Sequence, residues 1–145
     1  MKSKDLLAAF GAFLCIFFMA AVSELDANNI WIIPPFGASL VLAMALPSSP
    51  LARPKNIILG HVIAASAGVI TYQILGNNPL SIGIALGLAI YLMLITDTTH
   101  PPAGANPVLT VLGGESFDFI LMPVALGAIF IVAFSITYNR LIAKS

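Results

Sequence analysis

The stretch Thr99 to Pro107, THPPAGANP, breaks one of the most hydrophobic runs of this chain. It lies between IYLMLI (Ile90–Ile95) and VLTVLGG (Val108–Gly114), and it sets three prolines, a histidine and an asparagine inside an otherwise helical pattern. A proline removes a backbone donor and turns the residue before it away from the αR region. The backbone therefore leaves regular helix here, and what surrounds the break decides whether it is a kink or a site.

The surroundings are a membrane. Of 145 residues, 59% are hydrophobic and only 8% charged, where a soluble domain carries about 25% charged residues; the mean hydropathy is +1.02. So few charges cannot cover a water-facing surface, and the chain reads as an all-α integral membrane protein whose first partner is the lipid bilayer. The formal net charge is zero, and no basic tract speaks for nucleic acid. The single cysteine, Cys15, excludes an internal disulfide and reads as a packing residue. The basic start, apolar core and small-residue AVS of the first segment also describe a signal peptide. That core, Leu6–Val22, outruns the ~7–15 residues usual for one, so a retained first helix is expected. Residues 1–145 are expected to form one transmembrane domain, with no soluble domain or long linker.

Four segments approach the ~20 residues of a spanning helix: Leu6–Ser23, Ile57–Leu75, Leu80–Ile95 and Phe117–Asn139. Two further apolar stretches, Ile30–Pro47 and His100–Gly114, are broken near their starts, and they match each other. Pro34 and Pro35 fall on Pro101 and Pro102, Gly37 on Gly104, Ala38 on Ala105 and Ser39 on Asn106; the same offset sets Gly60 on Gly127. Each half, about residues 5–75 and 80–140, reads helix, broken segment, helix. If all six segments cross, Lys2, Lys4, Arg53, Lys55, Arg140 and Lys144 share one side, and Glu24, Asp26, Glu115 and Asp118 share the other. Re-entrant breaks would carry Arg53 and Lys55 to the wrong side. The positive-inside rule then places both termini in the cytoplasm, in a bacterial inner (plasma) membrane. Three spans per half invert the second half relative to the first, as in many transporters. The expected fold is a helical bundle of two inverted three-segment repeats, with four full transmembrane helices plus two short broken half-helix segments.

Each break is expected as an extended lead-in, Ile33–Ser39 in the first copy, followed by a half-helix that begins near the midplane. Ser39 and Asn106 are strong helix N-cap types, and Pro107 suits a first helical position. Inversion would turn the two N-termini towards each other, each with unpaired N–H groups and about half a positive charge. That suits a small monovalent anion. The candidate binding residues are Pro35, Gly37, Ala38 and Ser39 in the first break, and His100, Pro102, Gly104, Ala105 and Asn106 in the second. The plain alternative is a pair of proline kinks whose neighbours satisfy the freed carbonyls.

His100, His61 and Asp97 are candidates for coupling proton movement. Asp97 could pair with His100 or simply cap the fourth span. Gly60, Ala64 and Gly68, at four-residue spacing beside His61, read as close helix packing, and Gly83 with Gly87 as a weaker pair of the same kind. Tyr91 lies deep enough to face a cavity. Nothing in the chain supplies a nucleophile with its base, a zinc set or a phosphate loop, so no enzyme, cofactor or metal is expected.

With HPPAGAN, the chain resembles the HPP family of small integral membrane proteins, named for the His-Pro-Pro at His100, Pro101 and Pro102. The resemblance covers most of the chain, including PPFGAS (Pro34–Ser39) and RPKN (Arg53–Asn56). The family is usually described with four transmembrane segments, fewer than the six crossings read above. Its cyanobacterial and plastid members have been linked to nitrite transport, so the resemblance implies a small-anion transporter or channel with nitrite as the leading candidate. Two other functions fit the residues: a channel for a small neutral solute, and a non-transporting membrane module that binds a partner. Because 145 residues barely enclose a pathway, a homo-oligomer is expected, with the pathway inside each protomer.

Overall fold

The computed structural model describes residues 3–26 and 31–142; Lys2, Lys144 and Ile30, which figure in the charge count and the first break, lie outside them. The described residues are helical, without a strand. Helix α1 covers Ser3–Leu25, and α2 covers Pro34–Leu40 and continues into a π-helical turn at Val41–Ala45. A 3-10 turn at Pro50–Ala52 leads to α3, Pro54–Leu75, and α4 follows at Pro79–Ile95. A 3-10 helix at Pro101–Ala105 runs into α5, Asn106–Gly113, and a π-helical turn at Ile120–Ala125 runs into α6, Leu126–Ile142.

Local chemistry sets these limits. Pro54 and Pro79 open α3 and α4, where a missing N–H costs nothing. Asn78 caps α4, its side-chain oxygen accepting from the Ser81 N–H at 3.0 Å. Gly76 follows α3 with φ 70° and Gly114 follows α5 with φ 66°, a region that glycine enters without a Cβ clash.

Among the described residues, three helices are long and apolar enough to cross a membrane: Lys4–Leu25, Pro54–Leu75 and Ile120–Ile142. The fourth full span expected from sequence is α4, which is apolar but has 17 residues, the lower limit of a spanning helix (~17–25). The Pro34–Ala45 segment is shorter still.

Hydrogen bonds tie the helix ends into two groups. Tyr138 Oη donates to the Leu7 carbonyl at 2.7 Å, and Asn139 Nδ2 to the Ala43 carbonyl at 3.0 Å. The end of α6 thus meets the start of α1 and the end of the α2 segment. Asn139 shares a small cavity with Arg53, and Lys55 pairs with Asp97 at 3.4 Å, which adds the start of α3 and the end of α4. The described basic residues Lys4, Arg53, Lys55 and Arg140 therefore belong to one end of the bundle. At the other, Trp31 N–H donates to Ser23 Oγ at 2.7 Å, and Asn77 Nδ2 to the Leu112 carbonyl at 3.3 Å.

Two apolar clusters hold the bundle. Cys15 and Met19 of α1 pack on Phe36 of α2 and on Val124, Ala128 and Ile131 of the last segment; Cys15 is the packing residue expected. The second cluster joins Ala64 and Ala67 of α3 to Ala89 and Met93 of α4 and to Ala103.

Small residues let the breaks come close. A Cβ on Gly60 would lie 2.8 Å from His100 Cβ, and one on Gly68 would lie 2.7 Å from Pro107 Cα. The Gly60–Ala64–Gly68 stripe thus packs against the second break. A Cβ on Gly127 would run into the Phe36 ring of the first break. A Cβ on Gly83 or Gly87 would meet nothing within 4 Å, so the close packing expected of them does not occur within the described residues of one protomer.

These contacts make a direct test. Gly68→Ala should lower stability by about 1–3 kcal/mol, because backbone must yield at Pro107. Gly83→Ala should leave it unchanged or raise it by about 0.5–1 kcal/mol through helix propensity. Thermal unfolding in detergent reads both, and equal responses would remove the close-packing account.

Candidate functional site

The two breaks begin alike. Ile33 is extended (φ −129°, ψ 147°), as is His100 (φ −139°, ψ 99°), and helical geometry starts at Pro34 and Pro101. In each, the first available N–H folds back onto the cap carbonyl at 3.0 Å, Phe36 on Ile33 and Ala103 on His100. The extended lead-ins expected from sequence are therefore absent. A proline pair carries the φ of a first helical turn and lacks only N–H groups that such a turn leaves unused, so it starts a helix where it stands.

The N-caps change with it. The caps are Ile33 and Ala105, neither of which makes a side-chain cap bond, while Ser39 sits one turn inside α2 and Asn106 is the first residue of α5. Pro107 accordingly occupies the second helical position. With prolines at the first two positions of α2 and the third N–H bonded to Ile33, that terminus does not offer the row of free donors expected for an anion.

The match between the copies nonetheless extends to burial. Pro35 and Pro102, Phe36 and Ala103, Ser39 and Asn106, and Leu40 and Pro107 are buried in pairs, whereas Pro34 and Pro101, and Ala38 and Ala105, are exposed in pairs. Gly37 is exposed and Gly104 half-buried, and a Cβ on either would meet nothing within 4 Å. The close approach expected at these glycines occurs instead at Gly60, Gly68 and Gly127. Of the candidates from sequence, Ser39, His61, His100 and Asn106 come together. Gly37, Ala38, Gly104 and Ala105 face away.

Those four side chains are each 0% exposed. Ser39 Oγ lies 2.7 Å from His61 Nε2 and 2.8 Å from His100 Nε2. His100 Nδ1 lies 2.8 Å from the Leu51 carbonyl. Asn106 Nδ2 lies 3.0 Å from both His61 Nδ1 and the His61 carbonyl. The imidazoles meet edge to face at 5.1 Å, and Phe36 closes on His61 at 5.3 Å.

The two ends of this chain of bonds orient everything between them. A carbonyl only accepts, so His100 Nδ1 carries its proton towards Leu51, and the Asn106 amide turns its NH2 towards the His61 carbonyl. The second amide hydrogen then points at His61 Nδ1, which accepts. His61 therefore carries its proton on Nε2 and donates to Ser39, and the Ser39 hydroxyl donates to His100 Nε2. All donors run one way, from Asn106 to Leu51, with both rings neutral. Asn106 Oδ1 stays buried and unpartnered among the described residues.

Asp97 is not part of this set. It pairs with Lys55 at 3.4 Å with its side chain 92% exposed, rather than with His100, because His100 Nδ1 is taken by Leu51. Tyr91 is also exposed, on the outer face of α4, rather than part of this buried set. Sequence reading missed Leu51, whose contribution is a backbone carbonyl and so has no residue-type signature. It also missed Asn56, which donates to the Thr99 carbonyl at 2.8 Å and pins the segment before His100; the RPKN motif held that signal. A cavity of about 850 Å³ lies between α1, α2 and α6, with Gly37, Leu40 and Tyr138 on its wall.

Known proteins resemble the chain over most of its length. The family model described as "HPP, transmembrane region" matches residues 2–145. A transmembrane protein of Dictyostelium discoideum is 33% identical over 146 residues, covering 95% of this chain and 51% of its own. Another from the same organism is 32% identical over 127 residues, covering 82% of this chain and 41% of its own. The chain thus spans about half the length, or less, of these curated relatives. No solved structure matches.

The bond network sets an order of costs. Asn106→Leu leaves His61 Nδ1 and the His61 carbonyl without a donor and should cost about 1–3 kcal/mol for each. Asp97→Asn, at an exposed pair, should change stability by no more than about 0.5 kcal/mol. Unfolding titrations in mixed micelles read both, and a larger loss from Asp97→Asn would contradict the assignment of partners.

Proposed function

This chain belongs to the HPP family of transmembrane proteins, and we propose that it carries a small monovalent anion, nitrite being the leading candidate, across the bilayer together with a proton. The observation behind this reading is the cluster itself: two buried imidazoles joined through one hydroxyl, at the meeting of the two matched breaks. Ionisable groups inside a membrane domain are costly and mark transport paths and proton relays. None of the side chains bonded in this cluster is a fixed cation. A bare anion entering it meets no compensating charge, and an imidazole that takes up a proton supplies one. The free-donor helix termini first expected to attract the anion are not needed.

The matched burial of the two breaks supports an arrangement of two inverted repeats with one shared site, a design that places binding groups at the repeat interface near the midplane. The grouping of Lys4, Arg53, Lys55 and Arg140 at one end supports a cytoplasmic position for both termini. In this reading the protein acts without covalent chemistry, the path lies within each protomer, and the protomers associate as a homo-oligomer in a bacterial inner membrane. The orphaned Asn106 Oδ1 favours one competing reading, a channel for a small neutral solute that donates a hydrogen bond.

Uptake into liposomes holding the purified chain separates the two. Nitrite uptake should saturate, rise when the outside is made more acidic than the lumen, and fall by at least about tenfold in His100→Asn; a 1:1 anion–proton stoichiometry should make it insensitive to membrane potential. Formate should compete, and urea should not cross. Urea flux without nitrite flux would install the neutral-solute reading, and rates equal to empty liposomes for every solute would remove transport.

A further inference from the structure

The bonds around Ser39 include one that the neutral arrangement does not use. Besides the two imidazoles, Ser39 Oγ lies 3.2 Å from the Pro35 carbonyl. A hydroxyl has one hydrogen, and in the neutral cluster that hydrogen goes to His100 Nε2, because this nitrogen has no other donor. The Pro35 carbonyl is a second acceptor within reach of the same rotor.

We propose that the cluster is a store for a single proton, that His100 Nε2 is the atom that receives it, and that the Ser39 hydroxyl is the swivel that makes room. The incoming proton adds to the Nε2 lone pair of His100, and no covalent bond breaks. His100 then donates from both nitrogens, to Leu51 and to Ser39 Oγ. The hydroxyl hydrogen turns from His100 to the Pro35 carbonyl, and Ser39 Oγ accepts from both imidazoles at once. Every bond of the loaded state uses a contact already within 3.2 Å. His61 keeps its tautomer, because Asn106 still donates to its Nδ1.

His61 is the poorer receiver for a geometric reason. A proton on its Nδ1 would face an amide N–H, and the Asn106 carboxamide would have to turn over, losing its bond to the His61 carbonyl and setting Oδ1 against that oxygen. The groups in contact with the two rings or with the Ser39 hydroxyl come from both breaks, α3 and the 3-10 turn. They are Pro35, Phe36 and Ser39 of α2, Leu51 of the 3-10 turn, Gly60 and the two histidines themselves, and Asn106 of α5; none carries a fixed charge. The nearest ion pair in sequence, Lys55–Asp97, stands at the exposed end with side chains 51% and 92% exposed. A second proton would place two cations on rings 5.1 Å apart, so the store holds one.

This rests on the proton-coupled reading above and sharpens it. The loaded cluster carries one positive charge located at His100 Nε2 and Ser39, and the anion that discharges it should be monovalent and able to accept from that region.

The chain has two histidines, which makes nitrogen NMR of histidine-labelled protein in lipid nanodiscs a direct test. A selectively labelled Leu51 carbonyl assigns His100 through its contact with Nδ1. At neutral pH the two rings should be opposite tautomers, His61 protonated on Nε2 and His100 on Nδ1. Acidification should convert one ring to imidazolium, that of His100, with His61 unchanged. Ser39→Thr should keep this pattern and its titration, whereas Ser39→Ala, which leaves the Leu51 and Asn106 contacts in place, should keep the opposite tautomers but move the conversion of His100 to lower pH, because the new Nε2–H has lost its acceptor. Identical tautomers, first protonation at His61, joint titration of both rings, or an unchanged His100 titration in Ser39→Ala would each overturn the proposal, and the wild-type spectrum alone decides the first three. Liposome flux is an independent readout: the expected spectra without flux would leave the proton store and remove the transport reading, and flux with the wrong tautomers would do the reverse.

Discussion

The bridge from His61 through Ser39 to His100 is the constraint on which the rest of the molecule depends. Polar side chains in an apolar interior must find partners, since each unpaired group costs several kcal/mol at membrane depth. These rings sit on α3 and at the second break, and the hydroxyl that joins them sits on the first break. Satisfying them requires all three to meet at one point. The loops that deliver Leu51 and Thr99, and the turn that delivers Asn106, are then fixed in place by the same requirement.

Bringing three backbones together leaves no room for side chains between them. Glycine at 60 and 68 clears space for the second break, and Gly127 clears space for the Phe36 ring of the first. The prolines act in concert with this. Each pair starts a helix abruptly after an extended residue, so that the following turn points one face inward, carrying Pro35, Phe36 and Ser39 in one copy and Pro102, Ala103 and Asn106 in the other. The other face, with Ala38 and Ala105, looks outward. Periodicity of a single helical turn thus divides each motif into residues that join the cluster and residues that do not.

Much of this was legible in the sequence. Composition gave the membrane and the all-helical class, the offset between PPFGAS and PPAGAN picked out the two segments that meet, and the two histidines stood out as ionisable groups in an apolar chain. The pairing of Ser39 with Asn106 was also visible, but as helix caps. That reading failed because proline is equally at home at the first position of a helix and in the extended stretch before one, and here each pair takes the first helical position, which moves the cap back to Ile33 and His100. Gly37 and Gly104 misled for a related reason, since a glycine letter does not tell a tight contact from an exposed face.

By itself, then, the sequence determined what the chain is made of: an apolar helical bundle with a few polar groups set at matched breaks, because so few charges cannot cover a water-facing surface. Tertiary structure alone decided which of those groups share hydrogen bonds and in which direction. That direction comes from the Leu51 and His61 carbonyls at the two ends of the network. Main-chain oxygens are common to every residue, so no pattern of side chains could have announced them.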